Sequence, residues 1–167
     1  YYADDEIIVT ASERPVIQTV MNVQADDIKE LQRGEALMVN RKGEMRTVQL
    51  LDRKPLSACS FERIYFSRGS DRDIYRERKR LGENLVEPIL RKVDGDLEHT
   101  VFSYIPNTAE MAYYGMMEGL QKPLDRLISE QLSEKGASLS EEEIRRIFAQ
   151  RIRSEKVILK DIKLRTF

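Results

Sequence analysis

The spacing of apolar residues changes near Gly69, and this change divides the chain into a strand-rich part and a helical part. Before Gly69, short β-branched or apolar runs at residues 6–11, 36–39 and 45–50 predict strands. The last two runs flank a short turn that contains glycine, a pattern typical of a β-hairpin. We therefore expect residues 1–58 to be rich in β-structure, with short helices between the strands.

The run over residues 59–68 also has the character of a strand, because Phe61, Ile64 and Phe66 recur in it. Cys59 opens this run. It has no histidine close to it in the sequence and no second cysteine to pair with, so we expect it to be a small buried apolar residue.

Residues 71–93 form one charged segment in which apolar residues recur at helical spacing. Pro88 falls inside that pattern, and a proline within a helix removes a hydrogen bond, so a kink or break is predicted near Glu87. The apolar positions are Ile74, Leu81, Leu85 and Ile89. The cations, which we expect to form a solvated face, are Arg72, Arg76, Arg78, Lys79 and Arg80.

The dense apolar run at residues 99–105 predicts a strand, followed by a helix that ends near Gly119 and Pro123. Residues 124–154 predict two further helices, the second of which begins with a capping-box sequence. A second strand is predicted at residues 155–159. This order of strand, loop and helix is typical of the opening of a βαβ unit.

The composition allows a buried core and excludes several classes of protein. Of the 167 residues, 41% are hydrophobic, which is close to the content of an ordinary globular protein. The formal net charge of −1 gives no overall attraction to nucleic acids or anionic membranes, and no apolar run is long enough to span a bilayer. The single cysteine excludes an internal disulfide and fits a reducing, cytoplasmic location. No spacing of cysteine and histidine is typical of a zinc site.

The segment that follows the strand predicted at residues 99–105 is the first candidate site. In parallel α/β sheets, ligands bind at the carboxyl ends of strands, and the N-terminus of a helix offers free N–H groups to an anion. Pro106, Asn107 and Thr108 occupy this position, and the Thr108 hydroxyl can meet a phosphate oxygen. The alternative is that Asn107 or Thr108 only caps the helix, which spacing alone favours because caps greatly outnumber phosphate sites.

A basic cluster near the C-terminus is the second candidate site. Lys160, Lys163 and Arg165 follow the strand predicted at residues 155–159, and cations at the end of a strand can bind a phosphate or pyrophosphate. The alternative is a solvated basic loop. His99, the only histidine, is expected to lie at a strand edge rather than to act as a base or a metal ligand.

Several segments resemble, in the same order, glutamine amidophosphoribosyltransferases. Residues 59–68 resemble the strand that joins the two domains of these enzymes, and residues 105–109 with 114–120 resemble their first core strand, pyrophosphate loop and following helix. The other matching segments are residues 10–13 with 34–36, residues 77–82, and residues 160–167, which resemble the start of the flexible catalytic loop. A match in family order over about three quarters of the chain argues against coincidence.

The resemblance implies a fold in two parts. Residues 1–58 would be the end of an α+β glutaminase domain of the Ntn-hydrolase type. Residues 59–167 would be the start of an α/β phosphoribosyltransferase-type domain, with a helical insertion at residues 121–156. Both ends of the chain are then expected to be cuts through a longer polypeptide.

The resemblance also implies the chemistry of the full-length enzyme. Such enzymes take ammonia from glutamine and use it to displace pyrophosphate from Mg²⁺-bound phosphoribosyl pyrophosphate, in the first committed step of purine synthesis. The residues that would bind substrate in the pyrophosphate and closing loops are Pro106, Asn107, Thr108 and Lys163, with Lys160 and Arg165 in the closing loop. The glutaminase nucleophile is an N-terminal cysteine that this chain lacks, so the chain alone is expected to be inactive. The resemblance further implies a cytoplasmic homo-oligomer without nucleic-acid or membrane partners.

Two other functions stay open. One is a non-catalytic interaction module, in which the helices within residues 124–154 present a surface to a partner. The other is a regulatory module that binds a nucleotide without chemistry. A downstream phosphate-binding loop would separate an enzyme from an interaction module, because only the enzyme needs it.

Overall fold

The chain forms two compact units, which divide between Asp71 and Arg72. This computed structural model describes residues 1–159, apart from the side chain of Ala137. The domain boundary expected between residues 58 and 59 stays a prediction. Among the described residues, no helix combines the length and the apolar character needed to cross a membrane.

The first unit begins with a small antiparallel pair of strands, β1 (Tyr2–Ala3) and β2 (Ile8–Val9). Asp4 forms the turn between them, because its Oδ1 accepts hydrogen bonds from two backbone N–H groups at 2.8 and 2.9 Å. The strand predicted over residues 6–11 is therefore wrong in length. The turn takes its first residues, and only two residues pair.

Helix α1 (Arg14–Met21) follows, and a proline and an ion pair fix its position. Pro15 lies in the first turn, where a missing N–H costs no hydrogen bond. Ile17 buries its side chain almost completely. Arg14 donates to both carboxylate oxygens of Asp71, with nitrogen–oxygen distances of 2.8, 2.9 and 3.0 Å. This bidentate pair joins the start of α1 to the last residue of the unit.

A 3₁₀ turn (Ala25–Asp27) precedes a hairpin of β3 (Glu35–Val39) and β4 (Met45–Gln49), which pair antiparallel along their whole lengths. Asn40 begins the turn, and its Oδ1 accepts two backbone N–H groups at 2.9 and 3.0 Å. Gly43 completes the turn with φ of 82°, a conformation that favours glycine. The predicted hairpin is confirmed.

The segment before Gly69 forms a π-helical turn (Glu62–Phe66), so the strand predicted over residues 59–68 is wrong. The rings of Phe61, Tyr65 and Phe66 contact one another with centroids 5.1 to 5.5 Å apart. A strand cannot gather these rings, because successive side chains of a strand point to opposite faces.

Cys59 is exposed, contrary to the expectation that it would be buried. It lies in a stretch, residues 50–62, in which every residue is exposed. No core forms around this stretch, so the apolar character of the sulfhydryl does not decide its burial.

The second unit begins with α2 (Arg72–Glu83) and α3 (Val86–Lys92), so the predicted helical segment and its interruption are confirmed. The break comes slightly earlier than expected, at residues 84–85. Pro88 therefore stands in the first turn of α3, where its missing N–H removes no helical hydrogen bond.

Helix α4 (Glu110–Lys135) is continuous over 26 residues. The sequence predicted an end near Gly119 and Pro123 and a separate helix beyond, and this prediction is wrong. Pro123 removes the N–H that would bond the Gly119 carbonyl. The helix continues because Leu120, at 0% exposure, and Leu124, at 4%, anchor it to the core on both sides of the proline.

Helices α2 and α4 approach each other more closely than side chains would allow. A Cβ on Gly82 would lie 1.6 Å from the carbonyl oxygen of Ala112, and a Cβ on Gly115 would lie 1.9 Å from that of Lys79. Both glycines therefore stand where the two helix backbones touch. The core cluster of this unit comprises Leu97, Phe102, Tyr113, Met116, Leu120 and Leu124.

The face of α2 that is buried differs from the face predicted. It consists of Ile74, Arg78 and Gly82, spaced by four residues. Leu81 was expected inside and is 42% exposed, whereas Arg78 was expected in solvent and is 7% exposed. The close approach of α4 at Gly82 turns this side of α2 inward, and burial lowers the pKa of the Arg78 guanidinium.

A 3₁₀ turn (Gly136–Ser138) leads into α5 (Glu141–Ala149), and the predicted capping box is confirmed. The Ser140 Oγ accepts the N–H of Glu143 at 3.3 Å, and Glu143 Oε2 accepts the N–H of Ser140 at 2.9 Å. The backbone donor at Ser140 lowers the pKa of Glu143.

The strands predicted at residues 99–105 and 155–159 do not form within residues 1–159. Phe102 and Ser154 instead make one isolated parallel bridge. An apolar run becomes a strand only when partner strands pair with it, and a single bridge does not extend into a ladder. The described residues thus show helices with two small sheets. The glutaminase and phosphoribosyltransferase folds stay predictions.

Candidate functional site

The loop before α4 holds the first candidate site. Pro106, Asn107 and Thr108 are consecutive turn residues, of which Asn107 and Thr108 are exposed, and the peptide bond between Pro106 and Asn107 is cis. The Glu110 N–H donates to the Asn107 carbonyl at 3.1 Å. Ala109 is the N-cap residue, and no side chain caps the helix. The alternative that Asn107 or Thr108 caps α4 is therefore wrong.

The side chains of this loop face solvent rather than the protein. Within residues 1–159, neither the Asn107 amide nor the Thr108 hydroxyl has a hydrogen-bond partner. The loop also lies at the positive end of a helix of 26 residues. An amide, a hydroxyl and a helix N-terminus are thus close in sequence and open to an anionic ligand.

A carboxylate shared by two phenols lies directly behind the loop. Glu110 Oε1 accepts hydrogen bonds from the Tyr104 hydroxyl at 3.0 Å and from the Tyr114 hydroxyl at 3.1 Å. These bonds raise the pKa of both tyrosines, because each phenol donates to a negative charge. Two donors also compensate the Glu110 charge, which would otherwise oppose an anion at the helix N-terminus.

This cluster was missed by the sequence analysis. Glu110 and Tyr114 are four residues apart on one helix, a spacing that places them side by side. The hydrogen bond between these two residues could therefore have been predicted from the sequence. Tyr104 precedes the helix, and no periodicity connects it to Glu110.

The loop follows a segment that pairs with the end of the described chain. The Phe102 N–H donates to the Arg153 carbonyl at 2.9 Å, and the Glu155 N–H donates to the Phe102 carbonyl at 3.0 Å. The Val157 N–H donates to Ser103 Oγ at 3.3 Å. The two segments run parallel, so the residues that follow each of them leave the bridge in the same direction.

Two side-chain hydroxyl groups support this pairing. The Tyr113 hydroxyl is hydrogen-bonded to Ser154 Oγ and lies 3.4 Å from the Phe102 carbonyl, to which it donates. Tyr113 belongs to α4 and to the core, so the helix, the bridge and the loop are connected. The tyrosine ring also packs against Tyr104, with centroids 4.7 Å apart.

The second candidate site lies outside the described residues. Lys160, Lys163 and Arg165 follow residue 159, and their assignment to a phosphate-binding loop stays a prediction. The structure therefore brings together Pro106, Asn107 and Thr108 but does not test whether the cations join them.

His99 is exposed and lies in an irregular segment rather than at the edge of a strand. Its Nδ1 lies 3.0 Å from Asp96 Oδ2, and its backbone N–H donates to Asp96 Oδ1 at 3.0 Å. The backbone bond is the main cause that lowers the pKa of Asp96. Across residues 1–159, histidine, cysteine and acidic side chains form no group of three that could hold a metal ion.

Comparison with known proteins connects part of the chain to one family of transferases. The amidophosphoribosyltransferase of Pasteurella multocida (strain Pm70) is 30% identical over 100 residues, which are 58% of this chain and 20% of that protein. The amidophosphoribosyltransferase of Pseudomonas aeruginosa is 32% identical over 90 residues, which are 51% of this chain and 18% of that protein. About half of this chain is similar to amidophosphoribosyltransferases.

The similarity covers only part of this chain and only part of each relative. The matched region spans about a fifth of the length of these curated relatives. No model of a protein family matches the chain, and no solved structure matches it. The resemblance stated from the motifs is thus supported at the level of sequence similarity to a transferase family.

Proposed function

We propose that this chain is a central piece of an amidophosphoribosyltransferase. Residues 1–58 would end its glutaminase domain, and residues 59–167 would begin its phosphoribosyltransferase domain, with a helical insertion at residues 121–156. The similarity to two amidophosphoribosyltransferases supports the proposal, as does the family order of the matching segments. The full-length enzyme would make 5-phosphoribosylamine from glutamine and phosphoribosyl pyrophosphate in purine synthesis.

One observation carries the assignment of the site. The exposed loop of Pro106, Asn107 and Thr108 lies at the carboxyl end of a segment in parallel pairing, directly before the N-terminus of α4. This is the position at which α/β proteins bind phosphate groups. The Thr108 hydroxyl, the Asn107 amide and the backbone N–H groups of the loop would contact the pyrophosphate of the substrate. Mg²⁺ would arrive bound to the phosphates of phosphoribosyl pyrophosphate.

The cations near the end of the chain would complete the site. Lys160, Lys163 and Arg165 follow the second segment of the parallel pair. We propose that they close over the substrate and exclude water, with Lys163 on the substrate phosphates. During the reaction, the nitrogen of ammonia would bond to the ribose carbon that carries pyrophosphate as that carbon–oxygen bond breaks. The cations would stabilise the negative charge that leaves with pyrophosphate.

The chain alone would be inactive, because residues 1–58 would supply only the end of the glutaminase domain that releases ammonia from glutamine. We further propose that the full-length enzyme is a cytoplasmic homo-oligomer that binds neither nucleic acid nor membrane.

The proposal is tested by the binding of Mg²⁺–phosphoribosyl pyrophosphate and of Mg²⁺–pyrophosphate to the 167-residue chain. Backbone amide shifts in ¹⁵N NMR spectra would report the site. We expect saturable shifts at Asn107, Thr108 and Ala109 with both ligands. Thr108→Ala should weaken binding by about tenfold, the effect of one hydrogen bond to a charged group.

Thr47→Ala is the matched control, because Thr47 is an exposed threonine on β4 in the other unit. It should leave both affinities unchanged. Equal affinities for Thr108→Ala and the wild type would remove the loop from the site. Absence of binding with an intact spectrum would instead favour the non-catalytic interaction module.

A further inference from the structure

A second cleft lies away from the loop, between α4, α5 and the turn that follows α3. Its volume is about 680 Å³, which is within the range of small-molecule sites. Its lining comes from residues 95–98, from α4 between Leu124 and Gln131, and from the end of α5 with the segment that follows it. Most of these residues belong to the part of the chain expected to be an insertion.

The charged lining of the cleft is mainly basic. The lining contains three arginines, Arg146, Arg151 and Arg153, and two acidic residues, Asp96 and Glu98. Asp96 is already hydrogen-bonded to His99, so its charge is partly compensated. Guanidinium groups are the side chains best suited to bind carboxylate or phosphate oxygens, because they present several donors in one plane.

The three arginines differ in how far the protein already engages them. Arg146 is exposed and makes no hydrogen bond within residues 1–159; it interacts electrostatically with Glu143, one turn earlier on α5, whose pKa it helps to lower. Arg151 donates through Nη1 to the carbonyls of Phe148 and Gln150, at 2.6 and 2.7 Å, and so holds the C-terminus of α5. Arg153 Nε lies 3.4 Å from Glu155 Oε1. Arg146 is therefore the cation most available to a ligand.

Two amides in the lining of the cleft bond to each other. Gln150 Nε2 donates to Gln131 Oε1 at 3.2 Å, which connects α5 to α4 across the cleft. Gln150 Oε1 is buried and has no hydrogen-bond partner among the described residues. This oxygen is closed off from solvent, so a ligand in the cleft would not reach it, and the contact between the two amides serves to hold α5 against α4.

The apolar side chains of the cleft favour an organic body over a simple ion. Leu97 and Leu124 are buried, and Leu127 is 38% exposed beside them. An inorganic anion would contact the arginines but would leave this apolar surface in water.

We propose that the cleft between α4 and α5 binds a small organic oxyanion, with its carboxylate or phosphate on Arg146 and its apolar body on Leu97, Leu124 and Leu127. The oxyanion site is separate from the loop of the proposed function and does not depend on it.

The test uses simple probes of this chemistry on the 167-residue chain. Phenyl phosphate and benzoate each combine an aromatic ring with an oxyanion, whereas phenol lacks the anion and inorganic phosphate lacks the ring. Titrations followed by ¹⁵N NMR should show saturable shifts at Leu97, Leu127 and Ala149 with phenyl phosphate, benzoate or both. The stronger of the two identifies the ligand as a phosphate or a carboxylate.

Arg146→Gln should weaken the binding of the stronger probe by about tenfold, as expected for a lost charge-assisted hydrogen bond. Arg145→Gln is the matched control, because Arg145 is the next residue on the same helix, pairs with Glu141 and does not line the cleft. The control should bind as the wild type does. Amide spectra that superimpose outside the cleft would show that both variants fold.

Several results would overturn the oxyanion site. Absence of saturable shifts at the cleft with both aromatic anions would do so. Equal losses in Arg145→Gln and Arg146→Gln would show attraction by overall charge rather than a site. A phenol affinity equal to that of the aromatic anions would leave the anion without a role, and an equal affinity for inorganic phosphate would leave the apolar surface without one.

Discussion

The contact between α2 and α4 makes the sharpest prediction about stability. At Gly82 and Gly115, an added Cβ would lie 1.6 and 1.9 Å from a backbone oxygen of the other helix. These distances are roughly half of a normal contact of about 3.5 Å. No rotamer change can relieve a clash with backbone, so Gly82→Ala or Gly115→Ala must push the helices apart.

Two opposing effects determine the size of the loss. Alanine favours a helix over glycine by about 1 kcal/mol, which would stabilise either variant. Overpacking of a core typically costs about 1–3 kcal/mol, and the loosened contacts of Met116 and Leu120 would cost about 2 kcal/mol more as the helices separate. We therefore expect a net loss of about 2–4 kcal/mol in the free energy of unfolding. This is a large part of the total for a protein of this size, about 5–15 kcal/mol.

Gly119 provides a graded control on the same helix. A Cβ there would lie 2.6 Å from Val86 Cγ2, a side-chain atom rather than backbone. Gly119→Ala should cost less than about 1 kcal/mol, because its clash is partly offset by helix propensity. In a Val86→Ala background the obstructing methyl is absent, and Gly119→Ala should then stabilise the protein.

Urea denaturation followed by circular dichroism at 222 nm measures these changes. A loss of about 3 kcal/mol lowers the midpoint by roughly 1–3 M for slopes of about 1–3 kcal/mol/M. If Gly82→Ala and Gly115→Ala were as stable as the wild type or more stable, the two backbones would not be in contact. If Gly119→Ala cost as much as Gly115→Ala, contact with backbone rather than with a side chain would not determine the loss.

Three further predictions concern polar contacts. Arg14→Ala removes the bidentate partner of the buried Asp71 and should lower the free energy of unfolding in urea by about 3 kcal/mol. Glu30 is exposed, with its Oε1 3.8 Å from Arg14 Nη1, so Glu30→Ala should cost less than about 1 kcal/mol. Equal losses for Arg14→Ala and Glu30→Ala would contradict this reasoning. Ser140→Ala removes the cap of α5 and should cost about 1 kcal/mol in the same assay. Since the fold lowers the pKa of Glu143, its contribution is complete above the unfolded pKa of about 4.3 and is lost as the pH falls through the folded value. The stability difference between the wild type and Glu143→Gln should thus be constant near neutral pH and shrink in acid, and a difference independent of pH would refute the assignment.

The elements that were predicted correctly are those specified by adjacent residues. The hairpin depends on the turn from Asn40 to Gly43, and the start of α5 depends on the capping box of Ser140 and Glu143. Turn and capping chemistry act over three or four residues, so the sequence contains all the information that they need.

The elements that were predicted wrongly depend on residues distant in sequence. Arg78 lies inside because Gly82 admits α4, and no pattern within α2 shows that a second helix comes so close. Likewise, α4 continues through Pro123 because Leu120 and Leu124 bury against elements elsewhere in the chain. Hydrophobic spacing finds a helix, but its buried side and its length are decided by tertiary packing.

The candidate site divides in the same way. The loop from Pro106 to Thr108 was located because a loop between an apolar run and a helix is a local signal. The Tyr104–Glu110 bond was missed because it joins an irregular segment to the helix. Two strands were predicted where the structure has a single bridge between Phe102 and Ser154. Apolar runs alone do not show how many partner strands will pair with each run.

Arg153 connects the cleft between α4 and α5 to the loop of Pro106, Asn107 and Thr108. Its side chain lines the cleft, while its carbonyl accepts the Phe102 N–H at 2.9 Å and so holds the bridge that precedes the loop. A ligand that orders the Arg153 side chain would reduce the freedom of that backbone and favour the bridge. By linkage, a ligand at the loop that favours the same bridge would strengthen binding in the cleft by the same factor. The two sites are therefore independent in their chemistry, and the contact between Arg153 and Phe102 is one connection between them, beside the core cluster that contains Leu97, Leu124 and Phe102.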